Sequence, residues 1–305
     1  MNADVRGRAA YLAYRAGADL ARVTPPAIGS VVAGGLSRVM TVAWPTRRGQ
    51  VVRNLQRVSG GTLHGAELDR MVNEVFANYA RYWHEFFRLQ DASREWILEN
   101  CVIEGVENIH GALDAGRGGI LALPHLGHWD FAGACCAALG LPMIVVAEPV
   151  EPPELFDWFV ASRQRIGLEV IPLGPHAGAD VSRALAANRI VCLLCDRDLV
   201  GNGVAVDFFG ETTTVPSGPA TLALRTGAQL LPCAAFFAAD GFHVGRVAPA
   251  IPATREGRLR ADVQRVTEAL VREMEAFIRT APEQWLLMQP NWPSDHAPDG
   301  AAVAP

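Results

Sequence analysis

His125 and Asp130 are the residues of this chain whose types and spacing most directly suggest chemistry. They follow the apolar run Ile120–Leu123, which predicts a buried strand, and the small apolar residues after Asp130 predict a helix. On one unbroken helix, residues five apart lie about 140° apart, so the side chains meet only if His125 precedes the helix and Asp130 lies on its first turn. Gly127 permits the necessary turn. The pair would then be a histidine base whose ring is oriented by a carboxylate.

Other interpretations of the same stretch stay open at this point. The histidine could be an N-cap or a hydrogen-bonded core residue, and the helix start beside it could bind a phosphate or an oxyanion. Alternatively, His125, His128 and Asp130 could hold a metal ion with Asp196 or Asp198, as in a metal-dependent hydrolase. The pattern His-x-x-His-x-Asp is short, however, and no other part of the sequence favours a metal. We therefore expect no metal site.

Several classes of function lack their signatures in this sequence. It contains no Gly-x-Ser-x-Gly motif of the α/β-hydrolases, and the lack of lysine excludes a P-loop and a Schiff base. A net charge of −5 gives no indication of a nucleic-acid partner. Cys192 and Cys195 lie three apart in an apolar strand, so they point to opposite faces. We predict that they and the other cysteines are free thiols.

Alternating strand and helix patterns define the fold class from about residue 99 onwards. They predict an α/β fold, with a single domain whose central, mostly parallel sheet is flanked by helices. We assign the catalytic domain to residues 99–292 and expect residues 293–305, rich in Pro, Ala and Asp, to be a disordered tail. The predicted strands are Gly119–Leu123, Met143–Ala147, Glu169–Ile171, Arg189–Cys195, Val204–Phe208, Gln229–Phe237 and His243–Val247.

Ionisable residues come directly after three of these predicted strands. His125, Glu148 and Asp196 each lie within two residues of a strand end. In open α/β sheets, ligands bind outside the carboxyl ends of the strands. Charges at such partly buried positions need partners, so we expect these three residues to share one site.

Residues 1–98 are predicted to form a helical, membrane-associating segment packed on the core. Residues 1–60 contain nine arginines and two aspartates, a net charge of +7 against −12 for the remainder. Residues 27–45 are largely apolar, but Arg38 and four glycines or prolines favour a helical hairpin on a membrane surface or on the core over a membrane span. Met1–Arg22 lacks the apolar stretch of a secretory signal, so we expect a reducing compartment.

His125 and Asp130 match the His-x4-Asp motif of the glycerolipid and lipid A acyltransferase superfamily, which the chain resembles over nearly its whole length. Further matching blocks occur in order at Arg53–Leu55, Tyr82–Trp83, Asn188–Leu193, Asp196–Leu199, Val206–Gly210, Val215–Ala220, Thr226–Ala228 and Pro282–Trp285. Within the superfamily, the chain resembles the phosphatidylinositol mannoside acyltransferases of actinobacterial envelopes. The segments that carry this second resemblance are Ala122–His125, Ala147–Glu148, Leu168–Leu173 and Gln289–Trp292.

The resemblance implies a peripheral enzyme at the cytoplasmic face of the plasma membrane. It would move a palmitoyl-like chain from acyl-CoA to a mannose hydroxyl of a phosphatidylinositol mannoside, without a bound cofactor. Another lipid A-type, phospholipid or glycolipid acyltransferase is the alternative. His125 would be the general base, and Asp130 and Asp196 would orient its ring. Local backbone N–H groups and Arg197 would stabilise the oxyanion.

We also assign residues to donor and acceptor. Arg163 and Arg225 would contact the acyl-CoA, whereas Glu148, His128 and Arg197 would contact substrate. The chain departs from the mannoside family at four places. Asp196 replaces a glutamate, Leu126-Gly127-His128 replaces Ser-Gly-Asn, Leu286 replaces a histidine, and Arg225 replaces a carboxylate. We expect the acceptor to be selected at these departures.

Overall fold

A computed structural model of the protein describes residues 3–24, 35 and 37–296. Strands and helices alternate along the chain from residue 101 onwards. The strands are β1 (Cys101–Glu104), β2 (Gly119–Leu123), β3 (Met143–Ala147), β4 (Glu169–Pro172), β5 (Ile190–Leu194), β6 (Val204–Phe208), β7 (Glu211–Val215), β8 (Gln229–Phe237) and β9 (His243–Val247). The helices are α1 (Ala3–Val23), α2 (Pro45–Val58), α3 (Gly65–Leu89), α4 (Arg94–Glu99), α5 (Val106–Asp114), α6 (Trp129–Ala138), α7 (Pro153–Arg165), α8 (Ala177–Ala186), α9 (Gly218–Thr226) and α10 (Leu259–Thr280).

Seven strands form the central sheet in the order β1-β9-β8-β2-β5-β3-β4. The strands from β8 to β4 in this order are parallel. β9 runs antiparallel to β8 and parallel to β1. All residues of β2 are buried, because helices cover both faces of the sheet, and its sequence is accordingly a continuous apolar run. The predicted fold class is confirmed.

Apolar clusters fill the space on both faces of the sheet. One cluster takes its residues from α8, α9 and α10, and the other from α4, α5 and α6. The helices α2 and α3 form a third cluster with Leu286 and Met288. Tyr14 of α1 packs on Trp83 of α3 and Phe159 of α7. The N-terminal helices therefore lie against the residues that follow the last long helix and against α7.

The predicted strands all form within one residue of their expected ends. One of them, Val204–Phe208, lies outside the central sheet and pairs with β7 in an antiparallel hairpin. Phe209 and Gly210 both have positive φ, 56° and 79°, as a two-residue hairpin turn requires. Two strands were not predicted. β7 consists mainly of polar threonines, and β1 has only four residues, too few to establish a periodicity.

The structure describes part of the N-terminal segment that was predicted to be helical. α1 agrees with the helical structure expected at the start of this segment. Of the apolar stretch 27–45, residues 25–34 and 36 lie outside the described residues, and residues 37–43 are helical. Among the described residues, no helix combines the length and apolarity needed to cross a bilayer. The boundary between residues 98 and 99 stays a prediction.

The segment after α10 returns to the N-terminal helices. Pro293–His296, assigned above to a disordered tail, forms a 3-10 turn whose Asp295 side chain is fully buried. Asp295 accepts hydrogen bonds from Gln50 at 2.8 Å and Arg53 at 3.2 Å, and forms an ion pair with Arg57 at 2.8 Å. Residues 297–305 lie outside the described residues. The end of the described chain is thus fixed to α2.

Candidate active site

His125, Glu148 and Asp196 meet at one edge of the sheet, as the strand ends predict. They follow β2, β3 and β5, which are neighbours in the order β2-β5-β3. A pocket of about 350 Å³ opens at this edge and continues between the sheet and α6. Polar residues at its mouth include His125, Glu148, Arg163 and Arg197. Its interior is lined by small and apolar residues, among them Ile103, Leu121, Ala132, Gly133, Cys136, Met143, Cys192, Cys233, Gly245 and Val247.

Asp196 holds the ring of His125. Nδ1 of the ring lies 2.6 Å from Oδ1 of Asp196, and the backbone N–H of His125 donates to Oδ2 at 3.0 Å. The indole N–H of Trp285 donates to the same Oδ2 at 2.8 Å. Because a carboxylate accepts the bond at Nδ1, the neutral ring carries its proton there and keeps a lone pair on Nε2. The His125 side chain is 27% exposed, so a substrate can reach it.

Asp196 stays ionised although its side chain is completely buried. Burial alone would raise its pKa. The charge of His125 and the hydrogen bonds from the His125 ring, Trp285 and the His125 backbone outweigh burial and hold the pKa below the ordinary value of 3.8. An ionised carboxylate at this position stabilises the imidazolium that forms when His125 accepts a proton.

The backbone around His125 is fixed by the segment after α10. The N–H of Leu286 donates to the carbonyl of His125 at 2.7 Å, and the N–H of Gly127 donates to the carbonyl of Gln284 at 2.9 Å. Gly127 has a φ of +60°, and a Cβ there would lie 2.2 Å from the carbonyl oxygen of Ala235. Only glycine fits this turn. The turn predicted from the sequence therefore forms, but it is held by hydrogen bonds to Gln284 and Leu286, which are distant in the sequence.

Asp130 lies on the first turn of α6, as expected, but the prediction that it orients His125 is wrong. Its Oδ2 accepts a hydrogen bond from the hydroxyl of Tyr82 at 2.6 Å. Arg163 donates to Oδ1 at 2.8 Å and to Oδ2 at 3.1 Å. Burial and the charge of Asp130 raise the pKa of Tyr82 well above 10.0, so the hydroxyl remains a donor. Asp130 thus joins α6 to α3 and α7 beside the pocket.

Tyr82 and Trp285 are site residues that reasoning from strand ends and spacing did not find. Tyr82 lines the pocket and stacks on Trp129 with ring centroids 4.3 Å apart. Both belong to blocks that match the acyltransferase superfamily, which is the signal that was available. Their aromatic character alone indicates only a core position.

The expectation that His128 contacts substrate is wrong. Its side chain is fully buried, and its Nδ1 accepts the N–H of Phe131 at 3.2 Å, which makes it the N-cap of α6. Its Nε2 lies 3.9 Å from Glu85 Oε2, and the Nε2 of His243 lies 3.3 Å from the same oxygen. Leu126 is also completely buried and belongs to the core. Neither departure from the mannoside family therefore faces the pocket.

Acid should destabilise the protein through His128 and His243. Burial and the charge of Arg81 lower the pKa of His128 to about 3. Burial, His128 and Arg81 lower that of His243 to about 2. The ordinary pKa is 6.5, so below this pH the unfolded chain binds more protons than the folded one. The free energy of unfolding should fall as the pH drops from 6.5 towards 3, by about 1.4 kcal/mol per pH unit for each histidine.

Denaturant titrations at a series of pH values from neutral to mildly acidic test this expectation. His128→Asn keeps an N-cap acceptor but does not titrate, so its stability should depend less steeply on pH than that of the wild type. His110→Asn, at an exposed position, is the matched control and should leave the pH dependence unchanged. An equal slope for His128→Asn and the wild type would contradict the assignment.

The remaining predicted residues divide between the pocket and the surface. Glu148, Arg163 and Arg197 line the pocket, and so does Leu286. Arg225 does not line the pocket, and its assignment to the donor stays a prediction. It is exposed in the last turn of α9, shortly before β8 begins. A helix that precedes a parallel strand ends at the amino edge of the sheet, which is opposite to His125.

Three thiols line the interior of the pocket, from Cys136, Cys192 and Cys233. Burial raises the pKa of Cys192 to about 12 and raises those of the other two well above 9.0. The thiols are therefore protonated and unreactive at neutral pH. Cys195 belongs to the cluster on the other face of the sheet, and the cysteines are free, as predicted.

No three His, Cys, Asp or Glu side chains in the described part of the chain are arranged to hold a metal ion. The three residues that suggested a metal pattern are used otherwise. His125 bonds to Asp196, His128 caps α6, and Asp130 bonds to Tyr82 and Arg163. The geometry therefore gives no support to a metal-dependent hydrolase.

The chain belongs to the bacterial lipid A biosynthesis acyltransferase family, whose sequence profile matches residues 4–294, and it is thus an acyltransferase. It is 39% identical to the phosphatidylinositol mannoside acyltransferase of Mycolicibacterium smegmatis over 295 residues, which are 95% of this chain and 93% of the relative. The protein of the same name from Mycobacterium tuberculosis is 39% identical over 251 residues, 81% of this chain and 77% of the relative. The lipid A biosynthesis acyltransferase of Haemophilus influenzae is 25% identical over 228 residues, 72% of this chain and 68% of the relative.

Proposed function

We propose that the protein transfers a long, palmitoyl-like acyl chain from acyl-CoA to a mannose hydroxyl of a phosphatidylinositol mannoside. The observation that carries the proposal is the His125–Asp196 pair at the junction between a polar mouth and an apolar pocket interior. A thioester held with its carbonyl at this junction would place its chain in the interior and its polar part at the mouth. The mannoside acceptor is supported by the similarity to the two mycobacterial proteins.

In the proposed reaction, Nε2 of His125 takes the proton of the attacking hydroxyl as its oxygen bonds to the thioester carbonyl carbon. The carbon–sulfur bond then breaks, and the leaving thiolate receives that proton from His125. Asp196 stabilises the charged ring between the two transfers. Both substrates are bound together, so no acyl-enzyme is required. The raised pKa values of the pocket thiols are consistent with this route, because a protonated thiol does not attack a thioester.

Arg197 is the best placed residue to stabilise the oxyanion. The nearby backbone N–H groups of Leu126 and Gly127 already donate to the carbonyls of Pro124 and Gln284. Arg197 lines the mouth of the same pocket as His125 and carries a fixed positive charge. We therefore assign the oxyanion to Arg197 rather than to the local backbone.

The acceptor side is assigned to the mouth. Glu148 is exposed there and offers carboxylate oxygens to sugar hydroxyls. We further propose that exposed apolar side chains on the N-terminal helices hold the mouth against a bilayer, and that the enzyme acts as a peripheral protein at the cytoplasmic face of the plasma membrane. These side chains are Leu12, Leu20, Val23, Val39 and Val42.

The reaction is tested by incubating the purified protein with palmitoyl-CoA and a panel of acceptor lipids, followed by mass analysis of the lipid products. The proposal predicts an added palmitoyl group on phosphatidylinositol mannosides and an equal amount of free CoA thiol. Palmitoyl-acyl carrier protein is the comparison donor. Transfer from the carrier protein alone would refute the assigned donor, and transfer to lipid A precursors alone would refute the assigned acceptor.

The preference of the enzyme for acyl-chain length should depend on Gly245. This residue of β9 and Ile103 of β1 line the pocket, and in the strand order both lie far from β3, which Glu148 follows. A Cβ at Gly245 would lie 2.6 Å from Cδ1 of Ile103 and 3.5 Å from Cβ of Ala132. Gly245→Val should therefore fill the interior, lower palmitoyl transfer about tenfold and shift the preference to shorter chains.

The measurement is the rate of transfer for a series of acyl-CoA chain lengths. Gly111→Val is the matched control, because a Cβ at Gly111 meets no atom within 4 Å. An unchanged preference in Gly245→Val would show that the acyl chain does not reach this part of the pocket.

A further inference from the structure

A short loop beside the pocket mouth presents two large apolar side chains to solvent. β5 ends at Leu194, and Asp196 and Arg197 of the site follow it directly. The loop then passes through Leu199, which is 39% exposed, and Val200, which is 71% exposed, before β6 begins. Leu199 and Val200 are adjacent in the chain, so together they form an exposed apolar tip beside the site.

The conformation of the loop is fixed by Asp198. Its Oδ1 accepts the N–H groups of Val200 at 3.2 Å and Gly201 at 2.9 Å, and its Oδ2 accepts that of Gly203 at 2.8 Å. A Cβ at Gly203 would lie 2.3 Å from the carbonyl oxygen of Val215 and 2.7 Å from Asp198 Oδ2. Leu199 and Val200 are therefore held outward by a turn built from their neighbours.

The loop and the N-terminal helices flank the same opening. Arg197 lines the mouth on the side of the loop, and Tyr79 and Trp83 line the pocket from α3. Trp44, next to the helical residues 37–43, packs on Tyr79 at 6.2 Å. Those helical residues carry their own exposed apolar side chains, Val39 and Val42. The mouth thus lies between two groups of exposed apolar side chains that are far apart in the sequence.

We propose that Leu199 and Val200 insert into the surface of an anionic lipid bilayer and form a second membrane contact, across the pocket mouth from the N-terminal helices. The proposal rests on the proposed function, since a bilayer-borne acceptor is what brings the mouth to the membrane. A bilayer fits the loop better than a protein partner does, because the exposed tip is small and apolar. The N-terminal segment supplies charge complementarity to anionic lipid, since residues 1–60 contain nine arginines and two aspartates.

The loop is tested by attaching an environment-sensitive nitrobenzoxadiazole label to Val200→Cys. The probe is a vesicle of phosphatidylcholine with a minority of phosphatidylglycerol. The label should shift to shorter wavelength and brighten severalfold when vesicles are added, as a group entering the interface does. Leu139→Cys is the matched control: Leu139 is 45% exposed, at the end of α6 and thus at the opposite edge of the sheet, and its label should not respond. The six native cysteines are mostly buried, and label on the wild type measures their background.

A second variant, Leu199→Ser/Val200→Ser, gives an independent measurement. Its partition into the vesicles should be about tenfold weaker. Acyl transfer to acceptor in vesicles should fall in proportion, and transfer to acceptor dispersed in detergent should stay at the wild-type rate. An unresponsive label at position 200, or an unchanged partition of the double variant, overturns the loop proposal even if acyl transfer persists. Absence of transfer by the wild type in every assay format, with the label at position 200 still responding, overturns the proposed function and leaves the loop contact standing.

Discussion

Replacing His125 with alanine is expected to lower acyl transfer by ~10²–10⁴-fold, the usual contribution of a general base. Nε2 is the ring nitrogen of His125 that is not bonded to Asp196, and the substrate hydroxyl has no other assigned proton acceptor. Binding and proximity would account for the residual rate. The measurement is the initial rate of lipid acylation at saturating palmitoyl-CoA and acceptor.

The fold should survive this substitution, because the His125 side chain is partly exposed and its backbone contacts do not depend on the ring. Thermal unfolding of His125→Ala measures this separately from activity. His176→Ala, at an exposed position before α8, is the matched control for loss of a histidine and should retain full activity. Turnover by His125→Ala at a rate near that of the wild type would refute the assigned base.

Asp196→Asn is expected to have the second largest effect, a loss of ~10²–10⁴-fold in the rate of acyl transfer. Asparagine removes the negative charge that stabilises the imidazolium, and its amide can donate to Nδ1, which favours the tautomer with no lone pair on Nε2. Trp285→Phe is a more conservative variant, which removes one hydrogen bond to the same carboxylate. It keeps an aromatic ring near Phe208 and Phe209 but deletes the donor to Oδ2, and should lower the rate about tenfold.

The double variant His125→Ala/Asp196→Asn distinguishes a joint role from two separate ones. If Asp196 acts through His125, the double variant should be no slower than His125→Ala alone. Losses that multiply would show that Asp196 contributes in another way. Acylation rates of the four proteins, together with their unfolding midpoints, complete the cycle.

The position of the site could be predicted from the sequence, whereas several of its contacts could not. Apolar runs locate strands, and the carboxyl ends of parallel strands meet at one edge, so His125, Glu148 and Asp196 could be brought together without a structure. The hydrogen-bond partners of Asp130 could not be predicted in this way. Tyr82 and Arg163 lie 48 and 33 positions away along the chain, and a local spacing carries no information about them.

Two of the predicted site residues lie away from the pocket, for different physical reasons. His128 is near His125 in sequence, but the turn at Gly127 points its side chain into the core. Arg225 precedes a parallel strand, and topology alone places it at the edge of the sheet opposite to His125. These placements leave Leu286, which lines the pocket, as a departure from the mannoside family that can bear on acceptor choice.

The hydrogen bonds between the segment after α10 and the site have a consequence for how the enzyme is made. A growing polypeptide that has reached Thr280 already contains His125 and Asp196. It still lacks the indole of Trp285 and the backbone of Leu286, which hold those residues. It also lacks Asp295, which fixes the end of the described chain to α2. A polypeptide that ends at Thr280 can therefore contain every strand of the sheet and still lack the contacts that hold His125 and Asp196 in place.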